Sequence, residues 1–163
     1  GLVIERDIDA PWGVVVDGDS VGVTHADNQL GEFDLNLDPV GDPVTVGAGA
    51  DEAAVAGGYV WTADRAAGTV SYVDIESGSV GSVPVEGNPA GVRAVGDAVW
   101  VTDTAEGPPV GTGRLILIDA STKQVVAEED LGVRPLGLTV DGTTVWVTLF
   151  DQDNPQVIRV DAS

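Results

Sequence analysis

The sequence of 163 residues contains no cysteine, one histidine, and only seven lysine and arginine residues. Without cysteine there is neither a disulfide nor a thiolate site, and one histidine does not supply the usual zinc ligand sets. No run approaches the ~20 apolar residues that span a bilayer, and no basic-then-apolar signal segment opens the sequence. We therefore expect no membrane insertion.

Basic residues are scarce against 27 acidic ones, 19 of them aspartate, which gives a net charge of −20. A surface of this sign repels the phosphates of nucleic acid and of anionic lipid, so we expect no nucleic-acid partner. The excess is typical of a surface adapted to high salt or of an acidic secreted domain. It would also suit a cationic ligand or a divalent metal.

What the sequence does contain is a repeat. The phrase Val99-Trp100-Val101-Thr102 returns as Val145-Trp146-Val147-Thr148, and more loosely around Trp61 and Gly22. The central positions 22, 61, 100 and 146 are 39, 39 and 46 residues apart, and a turn stands eleven residues before each. An apolar run ending in aspartate follows each phrase, at Asp38, Asp74, Asp119 and Asp161. Four units of about 40 residues predict a repeat architecture, with bounds near 8–49, 50–87, 88–132 and 133–163 plus 1–7.

The third unit shows the expected strands most fully. Short Val-, Ile- and Trp-rich segments are bounded by Gly, Asp, Pro and Ser, at 91–95, 98–103, 114–119 and 124–130. Four antiparallel strands in each unit predict an all-β fold, a β-propeller of four blades in one domain over 1–163. Glycines at 18, 57, 96 and 142 fall at the first hairpin of each unit. The tryptophans are expected to fill the wedges between blades, and Gly22 lacks that bulk, so the first blade must pack differently there or face something else.

The two ends of the sequence are expected to meet. The last unit stops after its third strand, and residues 1–8 read as a fourth strand without a blade of its own. This N-terminal strand would complete the last blade and remove an open sheet edge. Closure within one chain gives a four-bladed monomer, and closure between two chains gives an eight-bladed homodimeric ring. A third interpretation is that the 163 residues are a piece of a longer propeller.

The repeated pattern Pro-x-Gly, Gly-Asp-x-Val-Trp-Val-Thr-Asp and Val/Ile-Asp resembles the YVTN/NHL superfamily of bacterial and archaeal propellers. It is most similar to virginiamycin B lyase-like proteins and to the extracellular sensor propellers of bacterial serine/threonine kinases. The resemblance covers essentially the whole chain and implies an extracytoplasmic or secreted binding or interaction domain. Fold alone does not fix activity. A divalent-metal-dependent lyase or hydrolase is the first alternative, and an isolated or engineered propeller half without activity is the second.

Lyases of that type use a histidine and acidic residues with magnesium at the channel mouth. No phrase of this sequence matches their active-site segments, so no catalytic residue is carried over. The face that carries the loops between second and third strands is nevertheless the expected place of a site. The candidate ligand-binding residues there are His25, Asp27, Asp64, Arg65, Asp103, Arg134 and Asp151.

Each candidate also has a structural interpretation. His25 suits a solvated loop residue or a partner of Asp27, the aspartates suit loop hydrogen bonding, and the arginines suit pairing with nearby aspartates. The segment 151–154, Asp-Gln-Asp-Asn, is rich in oxygen ligands but lacks the Gly and the distal Glu of an EF-hand. We therefore expect no cofactor, with calcium or magnesium left open, and a protein or small-molecule ligand of unknown identity.

One further arginine departs from the repeat. Arg93 lies in mid-strand, where the other units have Val15, Ala54 and Thr139. We expect it to reach the central channel and to face acidic neighbours.

Overall fold

A computed structural model describes residues 3–104, 112–151 and 153–161. The start of the expected N-terminal strand (residues 1–2), most of the loop of the third unit (105–111), Gln152 and the last two residues lie outside the described residues. Within the described ranges, fifteen strands form four antiparallel sheets in chain order, joined by turns and one short 3-10 segment at Ala26–Asn28.

The sheets follow the four repeats. The first holds β1 (Val14–Asp17), β2 (Ser20–His25), β3 (Gln29–Asp34) and β4 (Val44–Thr45). The second holds β5 (Ala50–Ala56), β6 (Tyr59–Asp64), β7 (Thr69–Asp74) and β8 (Val80–Pro84). The third holds β9 (Pro89–Val95), β10 (Ala98–Asp103), β11 (Arg114–Asp119) and β12 (Gln124–Asp130), and the fourth β13 (Arg134–Asp141), β14 (Thr144–Phe150) and β15 (Gln156–Asp161).

The four-blade propeller predicted from the repeats is confirmed. In the third blade, β10, β11 and β12 have the expected bounds, and β9 begins two residues earlier than predicted, at Pro89. The hairpin glycines Gly18, Gly57, Gly96 and Gly142 have φ between 56° and 58°. Because few residues other than glycine adopt this left-handed conformation, glycine at these positions permits the tight turn between the first two strands of each blade.

Two of the three repeated tryptophans fill the wedges between blades, as predicted. Trp61 is fully buried in a cluster that joins the second and third blades, and Trp100 is buried against Leu138 and Val147 of the fourth. Trp146 is 41% exposed, since no further blade follows β13–β15 among the described residues.

The first interface between blades differs from the next two. Its apolar cluster consists of Leu30, Val46, Ala50 and Val73, and a cavity of about 260 Å³ lies beside Gly22. The expectation that the first blade packs differently at Gly22 is confirmed.

The N-terminal segment lies along the first blade. Ile8 packs against Val21, Val23 and Phe33, while the carbonyl of Asp9 accepts the N–H of Ala26 at 3.0 Å. A similar bond in the third blade joins Thr104 N–H to the carbonyl of Asn88, in the connection between β8 and β9, so Asp9 lies in the connection that enters the first blade. Residues 3–8 are not a strand, and the fourth sheet has three strands among the described residues. Completion of the last blade by this segment is therefore not formed within the described chain.

The aspartate that ends each third strand needs one correction. In the first blade this residue is Asp34, opposite Ser20, as Asp74 is opposite Tyr59. The prediction of Asp38 from the sequence is therefore wrong. Leu35 and Leu37 continue the apolar pattern beyond the end of β3. The sequence therefore does not show that the strand ends at Asp34. Asp34 Oδ1 accepts the backbone N–H groups of Asn36 and Asp38, at 2.8 and 2.9 Å.

Candidate functional site

The predicted loop face is held together by a repeated hydrogen bond. The hydroxyl of Thr24 accepts the N–H of Gly13 at 2.8 Å, Thr102 accepts that of Gly91 at 3.0 Å, and Thr148 accepts that of Gly137 at 2.7 Å. Each bond joins the end of a second strand to the start of the first strand of the same blade, at the residue before β1 or within β9 and β13. The entering turns and the loops between second and third strands therefore lie at the same end of the sheets.

The second blade departs from this pattern. Glu52 stands where the other blades have glycine, and the hydroxyl of Thr62 donates instead to Asp64 Oδ1 at 2.7 Å. Asp64 is fully buried, and its Oδ2 also accepts the hydroxyls of Thr69 and Ser71, at 3.0 and 2.5 Å. Burial raises the pKa of Asp64 above its ordinary value, against the opposite effect of these hydroxyls. This candidate is inaccessible, and its carboxylate joins the end of β6 to the start of β7 through hydroxyl groups of both strands.

Asp103 has the same position in the third blade and is 2% exposed. Its Oδ2 accepts Arg114 Nη2 at 2.7 Å, and its Oδ1 accepts the N–H of Asn88 at 2.8 Å. Burial alone would lower the pKa of Arg114, but the hydrogen bonds and charges of Asp103 and Glu128 outweigh it and raise that pKa. A Cβ at Gly87 would lie 2.1 Å from Asp103 Oδ2, so glycine there leaves room for the carboxylate.

Arg114 was not among the residues predicted from the sequence. It stands opposite Asp103, where the second blade has Thr69 opposite Asp64. When the repeats are aligned by strand register, Arg114 takes the place of Thr69 beside the corresponding aspartate. The replacement of a hydroxyl by a cation beside a carboxylate is the feature of the sequence that indicates Arg114.

The other five candidates occupy separate places near the loop face. His25 ends β2 and is half-buried, and Asp27 is exposed with φ of 60°. Arg65 forms an ion pair with Asp51, with 3.9 Å between Arg65 Nε and Asp51 Oδ2. Arg134 begins β13 opposite Phe150, and Asp151 Oδ1 accepts the N–H of Asp153 at 2.9 Å. Binding by these residues stays a prediction.

Two residues that depart from the repeat meet on the inner wall of the blades. Arg93 Nη1 donates to Glu52 Oε2 at 2.5 Å and to its neighbouring carbonyl, Val92 O, at 2.6 Å. Both charged side chains are about two-fifths exposed. The expectation that Arg93 faces an acidic neighbour is confirmed, and the pair joins β5 to β9.

This pair lines a concave pocket. The volume of the pocket is about 560 Å³, within the ~300–1,000 Å³ typical of ligand pockets. Trp12, in the turn that enters β1, is 71% exposed at this surface. We call it the inner-wall pocket; its lining residues are Trp12, Gly13, Val14, Val15, Val16, Glu52, Ala53, Ala54, Val55, Arg93 and Ala94.

Among the described residues, no group of three or more histidine, aspartate or glutamate side chains is arranged to hold a metal ion. No helix of the described chain is long and apolar enough to cross a membrane.

No protein-family model matches the chain, and no curated protein sequence is similar to it. Solved structures of β-propellers are similar. Hydrazine synthase of Kuenenia stuttgartiensis matches 99% of this chain and 48% of its own, with a TM-score of 0.79 and 20% identity. The computationally designed Ika4 protein matches 99% of this chain and 96% of its own, with a TM-score of 0.75 and 15% identity. BBS1N, solved in complex with ARL6DN, matches 91% and 50%, with a TM-score of 0.70 and 12% identity. The chain thus spans about half the length of hydrazine synthase and of BBS1N, and these likenesses show the propeller fold alone.

Proposed function

We propose that the chain is a non-catalytic binding domain whose ligand occupies the inner-wall pocket at the loop face of the propeller. The observation that carries this proposal is the exposed Trp12 beside the Glu52–Arg93 pair in a concave surface of about 560 Å³. Tryptophan and arginine are the residues in which binding energy concentrates at protein interfaces.

The surroundings of the pocket favour binding over catalysis. The threonine-to-glycine hydrogen bonds hold the starts of the first strands in three blades, so little chain entropy is lost when a ligand binds. Two of the aspartates that a lyase-like site could use at the channel mouth, Asp64 and Asp103, are buried and engaged with hydroxyls or with Arg114.

The binding proposal is tested with a random peptide library displayed on phage and selected on the folded chain. We expect selected peptides to shift the backbone NMR signals of β1, β5 and β9. Trp12→Ala and Arg93→Gln should each weaken binding about tenfold or more, as loss of a main contact does. Asp97→Asn, in an exposed hairpin at the other end of the sheets, should leave the affinity unchanged.

Peptides that bind equally well to Trp12→Ala and to the unchanged chain would contradict the proposal. So would NMR shifts confined to the hairpins around Gly18, Gly57 and Gly96. The Arg93→Gln variant separates a specific site from general attraction, because it makes the chain more acidic and would strengthen nonspecific binding of basic peptides.

We also propose that a second copy of the chain completes the ring. The two ends of the row of blades support this. Trp146, Phe150 and Val157 are exposed on the fourth sheet, on the side that the next blade covers in the preceding blades. At the other end, Asp9 lies in the connection that enters the first blade, and in the second and third blades that connection follows the outer strand of the preceding blade. The fourth sheet lacks that outer strand among the described residues.

An extracytoplasmic or secreted location is a further part of the proposal. It is supported by the resemblance of the repeats to the extracellular sensor propellers of bacterial kinases. Detection of the chain in fractions of its source cells tests it, and recovery only with cytoplasmic proteins would contradict it.

A further inference from the structure

The cavity beside Gly22, between the first and second blades, corresponds to a filled region between the second and third. There, the rings of Tyr59, Trp61 and Tyr72 form a cluster, with centroids 5.3 Å apart for Trp61 and Tyr72 and 5.6 Å for the two tyrosines. The ammonium group of Lys123 from the third blade lies 3.7 Å from the ring centroid of Tyr59. The second interface therefore holds three aromatic rings capped by a cation.

Strand register identifies the counterparts of the three rings in the first blade. Ser20 corresponds to Tyr59, because each starts the second strand opposite the aspartate that ends the third. Gly22 corresponds to Trp61, and Glu32, opposite Gly22, corresponds to Tyr72, opposite Trp61. All three replacements are small or acidic, and all three line the cavity.

The cation is replaced as well. Gly78 has the place of Lys123, since each donates its N–H at 2.8 Å to the carbonyl of the aspartate that ends the third strand. Both have positive φ, 69° and 60°. Gly78 also lines the cavity. The space filled by rings and an ammonium group in one interface is thus open in the other.

The cavity has the chemistry to receive the missing groups. Its volume is about 260 Å³, just below the ~300 Å³ at which ligand pockets commonly begin. Apolar side chains such as Val15, Leu30 and Val73 line the interior, while the five charged lining residues are all carboxylates: Asp17, Glu32, Asp42, Asp74 and Glu76. A flat apolar group with a positive charge complements both parts.

We propose that this cavity binds an aromatic primary amine, a single flat ring system carrying an alkylammonium group, with the ring beside Gly22 and the ammonium among the carboxylates near Glu32. The ring takes the place of Trp61 and the ammonium that of Lys123. This site opens among the turns after first and third strands, at the end of the sheets opposite the loop face. It is separate from the inner-wall pocket.

The probe for this site is tryptamine, titrated calorimetrically into the folded chain at low salt. We expect saturable binding of one tryptamine per chain. Indole-3-propionate carries the same ring with a negative charge and should bind at least tenfold more weakly. Molar salt should weaken tryptamine binding, because it screens the carboxylates.

Two variants locate the site. Gly22→Trp fills the cavity and should abolish tryptamine binding; a Cβ at Gly22 would meet only side-chain atoms, 3.1 Å from Val15 and 3.6 Å from Leu30. Glu32→Gln removes one carboxylate from the exposed rim and should weaken binding about fivefold at low salt. The matched control is Glu129→Gln, an exposed residue of β12 with the same change of charge, which should leave the affinity unchanged.

Three results would overturn the proposal: no saturable binding of tryptamine at millimolar concentration, equal affinities for tryptamine and indole-3-propionate, or equal losses of affinity in Glu32→Gln and Glu129→Gln. Retained binding by a folded Gly22→Trp variant would also overturn it. If Gly22→Trp does not fold, methyl NMR of the unchanged chain decides: shifts at Val15, Leu30 and Val73 on adding tryptamine support the site, and unmoved signals there contradict it.

Discussion

Arg114 donates two hydrogen bonds to the same oxygen of Asp103, from Nε at 3.1 Å and from Nη2 at 2.7 Å. Arg114 Nη2 also donates to the carbonyl of Val85 at 2.6 Å, in the segment that leads into the third blade. The pair therefore joins the second and third strands of one blade to the segment that enters it.

Replacing Asp103 by alanine should destabilise the chain strongly. The change leaves Arg114 without its buried partner, and breaking a buried ion pair in this way costs about 3–5 kcal/mol. We expect about 3 kcal/mol, because Arg114 keeps Glu128 at 2.8 Å. Urea denaturation followed by circular dichroism measures the loss. Asp161→Ala, which removes the partner of the exposed Arg159, is the control and should change the free energy of unfolding little; equal losses in the two variants would contradict this account.

The Glu52–Arg93 pair should contribute little to stability despite its close contact. Both side chains are partly exposed, and solvent-exposed ion pairs contribute about 0–1 kcal/mol. A double-mutant cycle with Glu52→Gln and Arg93→Gln should give a coupling free energy below about 1 kcal/mol. A coupling of several kcal/mol would mean that the pair is part of the structural framework instead of a binding surface.

Stability should fall in acid because of the aspartates that end the third strands. Backbone N–H donors lower the pKa of Asp34 and Asp74 below the usual 3.8, and the Ser121 hydroxyl together with backbone N–H groups lowers that of Asp119. A carboxyl with a lowered folded-state pKa stabilises the fold above its unfolded pKa, and this contribution is lost as the pH falls through the folded value. The window therefore lies below about pH 4. Asp64 acts in the opposite direction, since its pKa is raised.

The pH prediction is measured by urea denaturation between pH 2 and 7. The triple variant Asp34→Asn, Asp74→Asn, Asp119→Asn should lose less stability than the unchanged chain between pH 4 and pH 2. Identical acid profiles in the two proteins would show that these turns do not control the acid response.

Association of two copies should be visible in the solution mass. Light scattering at molar salt should give a mass near twice 16.6 kDa, because salt screens the repulsion between two chains of charge −20. Trp146→Glu places a charge on the exposed face of the fourth sheet and should return the mass to 16.6 kDa. Trp12→Ala, in the inner-wall pocket, should keep the doubled mass. A mass of 16.6 kDa for the unchanged chain at every salt concentration would contradict the two-copy ring.

The sequence by itself determined the propeller and most of its strands. Glycine at the hairpins, alternating apolar residues and a period near 40 are local signals, since each turn and strand depends on neighbouring residues. The same regularity predicted the burial of Trp61 and Trp100, and the departure of Arg93 from the repeat predicted its acidic partner.

The tertiary structure alone decided which polar residues are accessible. Asp64, Asp103 and Asp151 look alike in the sequence, yet the first two are buried and Asp151 is partly exposed. Arg114, the partner of Asp103, lies on the next strand. The cavity beside Gly22 is bounded on its other side by Val55 and Val73 of the second blade. Burial and cavities depend on contacts between residues far apart in the chain, and a repeat specifies such contacts only where each blade keeps the common side chains.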